Sequence, residues 1–198
     1  MAKKQNRNKS TGKYSAWALI MLLIVSVYSV VRNIDKGDKP SDGFVKESYE
    51  KAKKPYRSLK TFTGKVVSIK DGDTFEVLYD GLAERIRLAE IDCPESKQAF
   101  GNVAKKYASD LCFGQTVTVE SGGKRDRYGR VVGTVITDNG INVNESLVKA
   151  GLAWHYKDYS DSEELAQMEQ EARANKVGLW ADKRPTAPWN WRKRNRRR

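Results

Sequence analysis

The sequence predicts an α+β domain whose strands close into a small β-barrel, with helices inserted among and after them, preceded by a single membrane-spanning helix. Three observations predict it. β-rich runs follow one another across turn sequences between residues 61 and 91; a helical apolar stripe then interrupts the strands at 100–111; and two further strands give way to helical patterns. The chain has 198 residues, enough for one domain with a core of its own plus tails.

Taken in order, residues 1–14 are a basic segment, and residues 15–31 (SAWALIMLLIVSVYSVV) carry no charge. Seventeen helical residues span about 26 Å, the short end of what crosses a bilayer. A cleavable signal peptide is the alternative, in which case the domain is secreted. The stretch is longer than a usual signal core, however, and no A-x-A site follows it, so the reading is an uncleaved anchor. The basic residues before it outweigh the near-balanced charges after it, which places the N-terminus in the cytoplasm and the domain on the far side of the membrane. Residues 32–60, rich in Lys, Asp, Ser, Gly and Pro, read as a linker with a short helix near 44–54.

From Thr61 the pattern changes. Runs over 61–70 and 74–79 flank the turn Asp71-Gly72-Asp73; Asp80-Gly81 marks the next turn, and 85–91 gives a third strand. Phe100, Val103, Ala104, Tyr107 and Leu111 fall at helical spacing, stopping at Gly114. Residues 115–121 and 130–136 alternate as strands. A short helix over 142–150 carries Asn142 and Glu145 as a capping-box pair and Gly151 as its stop. Ser160 with Glu163 opens a last helix, with Leu165, Met168 and Ala172 on one face. The folded domain is expected over 61–182, and 183–198 as a Trp- and Arg-rich basic tail whose last seven residues are disordered.

Charge and composition narrow the chemistry. Of the formal net charge of +12, +5 sits in the first fourteen residues and +6 in the last seven, so everything between is near neutral. Basicity therefore does not by itself make the domain a nucleic-acid binder; placed residues must. Two cysteines and one histidine exclude a four-ligand zinc site built from Cys and His, and any metal must be held by oxygen, which points to Ca²⁺ or Mg²⁺. Outside the cytoplasm Cys93 and Cys112 could pair in a disulfide, but the reading is free thiols, Cys112 serving as a small hydrophobe on its helix.

Three segments carry the chemistry: Asp71-Gly72-Asp73-Thr74 between two strands, Arg87 to Glu95 where a strand ends, and Arg125 to Arg130 entering a later strand. Each alone has a plain reading, as a turn, a helix start and a charged hairpin. Together they supply what phosphodiester hydrolysis needs. Carboxylates (Asp73, Asp92, Glu95) can hold a hard cation and position water, and arginines (Arg87, Arg130) can meet charge developing on a phosphate. Strand alternation puts Arg87 and Asp92 on opposite faces unless the chain bulges between them.

The ordered motifs V-x-x-I-x-D-G-D-T-F, R-L-A-E-I-D-C-P-E, D-R-Y-G-R and N-E-S-L-V-K-A-G-L-A resemble the staphylococcal-nuclease (thermonuclease) family from Thr61 to about Asp182. The resemblance implies a five-stranded OB-fold barrel with about three helices and Ca²⁺-dependent cleavage of DNA or RNA. By motif, Asp73 and Asp92 would bind Ca²⁺, with the backbone carbonyl of Cys93, where the family's prototype has threonine. Asp71 would sit in the outer shell, and Glu95 would orient or deprotonate the attacking water. Arg87 and Arg130 would clamp the phosphate; Tyr156 or Tyr159, with Arg127 or Tyr128, would touch the nucleotide. His155 and the trailing tryptophans Trp180, Trp189 and Trp191 read as packing residues. The expected partners are a DNA or RNA substrate and a membrane, with the domain a monomer. The competing reading is a non-catalytic OB-type module that grips nucleic acid or protein. The acidic set argues against it, since clustered carboxylates repel phosphate unless a cation sits among them.

Overall fold

A computed structural model of the chain describes residues 59–196. The anchor expected at 15–31, the basic segment before it, the helix near 44–54 and all but the end of the linker lie outside the described residues. Among the described residues no helix is long and apolar enough to cross a membrane.

Strands β1 (Thr61–Asp71), β2 (Thr74–Tyr79) and β3 (Leu82–Leu88) form an antiparallel meander. The chain then leaves through the two-residue β4 (Ile91–Asp92) and helix α1 (Gly101–Cys112), and returns as β5 (Thr116–Glu120) and β6 (Val131–Thr137). These five longer strands close into a barrel in the order β1-β2-β3-β6-β5, with β6 parallel to β3. Closure depends on β1 serving two neighbours. Its first residues pair with β5, from Thr61↔Glu120 to Lys65↔Thr116, and from Lys65↔Leu78 onward it pairs with β2, with irregular register near Val66 and near Ile69 where it bends. The barrel is filled by Val66, Phe75, Val77, Ile86, Leu88, Val117, Val119, Val131 and Val135, all 1% exposed or less. Each large aliphatic or aromatic side chain so buried contributes about 1.5–3 kcal/mol.

Two sequence expectations shift here. The third strand does not run to Ile91: it stops at Leu88, Glu90 adopts φ 65°, and the chain resumes as β4, paired to β7 (Trp154–His155) rather than to the barrel. The buried stripe of α1 is also rotated by one position from that expected. Ala104, Ala108 and Cys112 are completely buried, Phe100, Tyr107 and Leu111 pack partly, and Val103 is 52% exposed. Small residues on that face let the helix approach the β1–β2 turn, where a Cβ on Gly72 would come within 2.8 Å of Ala104 Cβ.

Helix α2 (Val143–Lys149) starts as its capping pair requires: Asn142 Oδ1 accepts from the Glu145 amide (3.2 Å), and Asn142 Nδ2 donates to Glu145 Oε1 (2.9 Å). Helix α3 (Glu163–Ala174) is capped by Ser162, which accepts from the Leu165 amide, and not by Ser160. The Ser160 hydroxyl instead donates to Glu90 and bonds His155 Nε2 (2.9 Å), so the lone histidine is buried in a structural relay. Both cysteines are free and buried.

The largest correction concerns the C-terminal segment. Pro188–Asn195 is a fourth helix, α4, with proline in its first turn. The expected disorder of Arg192–Arg198 therefore does not hold through Arg196, and Arg197 and Arg198 lie outside the described residues. Trp180 packs with Ala172 and Leu179 in a second small cluster and meets Trp154 edge-on at 4.5 Å; Trp189 meets Trp154 at 5.5 Å.

Candidate active site

The β1–β2 turn, the β3–β4 corner and the loop entering β6 converge on one side of the barrel, around an open cleft of about 660 Å³. Asp71, Asp73, Arg87, Glu95, Arg127, Tyr128, Arg130, Tyr156 and Tyr159, all expected site residues, border it. Asp92 and Cys93 lie behind its wall, 1% and 3% exposed.

The acids are held by the backbone. The Asp73 amide donates to Asp71 Oδ1 (3.2 Å), which shapes the turn; Asp73 Oδ1 accepts from Thr74 Oγ1 (3.2 Å), and Oδ2 accepts from the Cys93 amide (2.7 Å). That last bond ties the turn to the corner twenty residues on. The kink at Ala89 and Glu90 resolves the facing problem of Arg87 and Asp92. Arg87 Nη2 donates to Asp92 Oδ1 at 2.8 Å, Nη1 donates to Leu88 O at 2.8 Å, and Nη1 lies 3.2 Å from Asp73 Oδ2. Asn144 on α2 fixes that kink, donating to Ala89 O (2.9 Å) and accepting from the Val135 amide (3.2 Å).

Glu95 follows Pro94 in a loop rather than on a helix, at the rim of the cleft. Its amide donates to Gln98 Oε1 (3.2 Å), and its carbonyl accepts from the Gln98 amide (2.7 Å). On the opposite wall Asp126 organises its own loop. Its Oδ1 accepts from the amides of Tyr128 and Arg130, and its Oδ2 accepts from Arg130 Nε at 2.7 Å. Arg130 Nη1 reaches Thr74 Oγ1 at 3.4 Å. Arg127 donates to Tyr128 Oη (2.7 Å), and the guanidiniums of Arg127 and Arg130 lie 4.8 Å and 5.6 Å from the Tyr128 ring centroid.

Charge is concentrated here and poorly solvated. Burial, and then the charge of Asp73, push the Asp71 carboxyl up to about 7. Burial raises Asp92 as well, even against its hydrogen bonds from Arg192. Burial opposes the charge of Arg87, but Asp73 and Asp92 outweigh it and hold the guanidinium firmly protonated. Among the described residues no three Asp, Glu, His or Cys side chains are gathered as a ready metal shell. The reason is visible: arginines stand between the acids.

One of those arginines was not expected. Arg192 of α4 enters the site, its Nη2 donating to Asp92 Oδ2 (2.7 Å) and its Nη1 to Asp92 Oδ1 (3.2 Å) and Glu95 Oε1 (2.8 Å). Trp189, one turn earlier on the same face, lies parallel to Tyr156, with 3° between planes and 5.2 Å between centroids. Tyr156 also meets Tyr159 at 4.7 Å, so both expected stacking tyrosines belong to one aromatic group. The sequence signal for α4 was Pro188 as a helix start with Trp189 and Arg192 in phase behind it. Thr74, Glu90 and Asp126 also border the cleft without having been expected there.

Residues 85–182 match the family described as staphylococcal nuclease homologue. An uncharacterized endonuclease of Escherichia coli is 47% identical over 131 residues, covering 66% of this chain and 85% of that protein. The chain belongs to the staphylococcal nuclease family. A micrococcal nuclease of Shigella flexneri is 41% identical over 142 residues, with 67% and 81% covered, and the staphylococcal-like nuclease CAN1 of Arabidopsis thaliana is 47% identical over 116 residues, with 57% and 34% covered. The family's matched span takes in the β3–β4 corner and the Asp126 loop, and it ends before α4.

Proposed function

We propose that this nuclease hydrolyses phosphodiester bonds of DNA or RNA in a Ca²⁺-dependent reaction at the cleft between the Asp73 turn and the Asp126 loop. The observation that carries the reading is the convergence of Asp73, Asp92 and Glu95 with Arg87 and Arg130 at one side of the barrel. The donors available to a cation are all oxygens, the carboxylates of Asp73 and Asp92 and the Cys93 carbonyl, with Asp71 in the outer shell, which suits a hard ion. Burial raises Asp71 and Asp92, with the charge of Asp73 adding to it, and a bound ion would offset that cost. When bound, the ion supplies Lewis-acid polarisation of a phosphate oxygen.

The chain's own groups do the rest. Glu95 orients water or takes its proton from the cleft side. Arg87 and Arg130 both border the cleft beside Thr74 and grip the phosphate, where their planar forks can donate to the equatorial oxygens. Tyr156 or Tyr159 supports a base, and Arg127 with Tyr128 lines the path of the neighbouring nucleotide.

The test is hydrolysis of single-stranded DNA and RNA by the purified full-length chain with Ca²⁺, with Mg²⁺ and with chelator. Arg130→Lys and Glu95→Gln should each lower kcat about a hundredfold or more, roughly 3 kcal/mol on the barrier, with the fold intact. Near-normal turnover in both folded variants would refute this mechanism and favour a binding module. We also propose that residues 15–31 anchor the domain outside the cytoplasmic membrane face; protease added to intact cells should then remove it, and full protection would reverse the orientation.

A further inference from the structure

We propose that helix α4 is a displaceable latch: Arg192 stands as a built-in cation on Asp92 and Glu95, Trp189 covers Tyr156, and a divalent ion must displace Arg192 to bind. The inference rests on reading Asp73, Asp92 and Glu95 as the cation and water site.

Three observations support it. Asp92, 1% exposed, does not border the cleft, whereas the arginines on its oxygens, Arg87 and Arg192, do. Both oxygens of Asp92 and one of Glu95 are engaged by a single guanidinium, in the fork geometry that matches a carboxylate. A cation ligated by Asp92 would therefore meet a fixed positive charge a few ångströms away, at a site where little water screens the repulsion. Second, α4 occupies two subsites at once. Its Trp189 ring lies flat on the tyrosine expected to support a base, so latch and nucleotide compete for the same aromatic face. Third, beyond the contacts of Trp189, Trp191 and Arg192 the helix is held at its start. Ala187 and Pro188 are buried, and Gln98 Nε2 donates to Thr186 O (2.5 Å). Lys193, Arg194, Asn195 and Arg196 are exposed. Such an element can swing about Pro188 while its anchor stays packed.

The latch carries Arg192, Lys193, Arg194 and Arg196 and no acid. Once lifted from Asp92 it presents only positive charge toward a polyanion, so cation and substrate favour the same open state. The apparent affinity for the ion is lowered by the fraction of chains already open.

The experiment is calorimetric titration of Ca²⁺ into the metal-free full-length protein, wild type against Arg192→Gln and Trp189→Ala, with circular dichroism confirming the fold. Arg192→Gln should bind Ca²⁺ about tenfold more tightly, as expected if about a tenth of wild-type chains are open. Trp189→Ala, which loosens the latch without touching a carboxylate, should shift affinity the same way by a smaller factor, and it serves alone should Arg192→Gln fail to fold. Saturable wild-type binding that is unchanged or weakened in the folded variants overturns the latch while leaving the cation site standing; Arg192 would then belong to the phosphate grip. No saturable binding in any of the three proteins overturns the cation site and the latch together.

Discussion

Replacing Arg87 with glutamine separates the two tasks that its position assigns to it. The side chain is 13% exposed and joins Asp73, Asp92 and the Leu88 carbonyl within one network. Removing one partner of a buried ion pair strands the other charge, a cost of about 3–5 kcal/mol. Arg192 still pairs with Asp92 in the variant, so the lower end, about 3 kcal/mol, is expected, a fall in Tm of about 10 °C for a domain of this size. Urea unfolding followed by tryptophan fluorescence measures the loss. In a double-mutant cycle, Asp92→Asn should recover a coupling of roughly 2 kcal/mol, because the two groups touch directly. At a temperature where the variant is still folded, its turnover should also fall if Arg87 holds the phosphate as proposed. A stability loss under about 1 kcal/mol, against the 3–5 kcal/mol typical of a broken buried pair, would refute the view that Arg87 neutralises the acids of the folded protein.

Gly101→Ala should destabilise by about 2 kcal/mol and lower kcat more than it raises KM, because a Cβ there would sit 1.9 Å from the Glu95 carbonyl and push that loop aside; unfolding curves and steady-state kinetics report both. Native protein at pH 8 should leave both cysteines unlabelled by a thiol reagent, since burial pushes Cys112 up to about 12 and Cys93 well above its ordinary value, whereas the denatured chain should label at both. Burial works to raise Asp126, but its bonds to Arg130 and Tyr128 prevail and hold it below its ordinary 3.8. A depressed carboxylate stabilises the fold above its unfolded value and loses that contribution as pH falls through the folded one. Asp126→Asn should therefore be less stable than wild type above about pH 4, with the gap closing below it; a gap constant with pH would count against the pairing.

The site was legible where chemistry and turn signals coincide. Asp71-Gly72-Asp73 had to be a turn between two alternating strands, and a turn between barrel strands lies at the rim. Arg130 immediately precedes β6, so it too lies at a rim. What alternation could not give was the corner after Leu88. A strict strand separates Arg87 from Asp92, and the kink reunites them, its left-handed Glu90 held by Ser160 and its Ala89 carbonyl by Asn144 of a later helix. The phase of α1 departs from its apolar spacing for a similar reason, since close approach to the Gly72 turn rewards Ala104, Ala108 and Cys112 over the larger Val103. Arg192 was read as one of six charges in a basic run, where only its phase with Trp189 distinguishes it.

These features share one cause. A barrel rim that holds Asp73 and Asp92 in the fold, one locked by the Cys93 amide and the other buried behind a strand corner, cannot spread its negative charge by moving the acids apart. The charge must be met by something brought to it. Arg87 is built into β3 and is always present, but one guanidinium does not neutralise two aspartates and a nearby Glu95. In the structure Arg192 meets part of the remaining negative charge, and on the proposed reading a bound cation would have to take its place at Asp92. On the proposed reading α4 supplies the second solution through Arg192, so that cation affinity would be set by the helix without any change to the barrel or to the acids themselves.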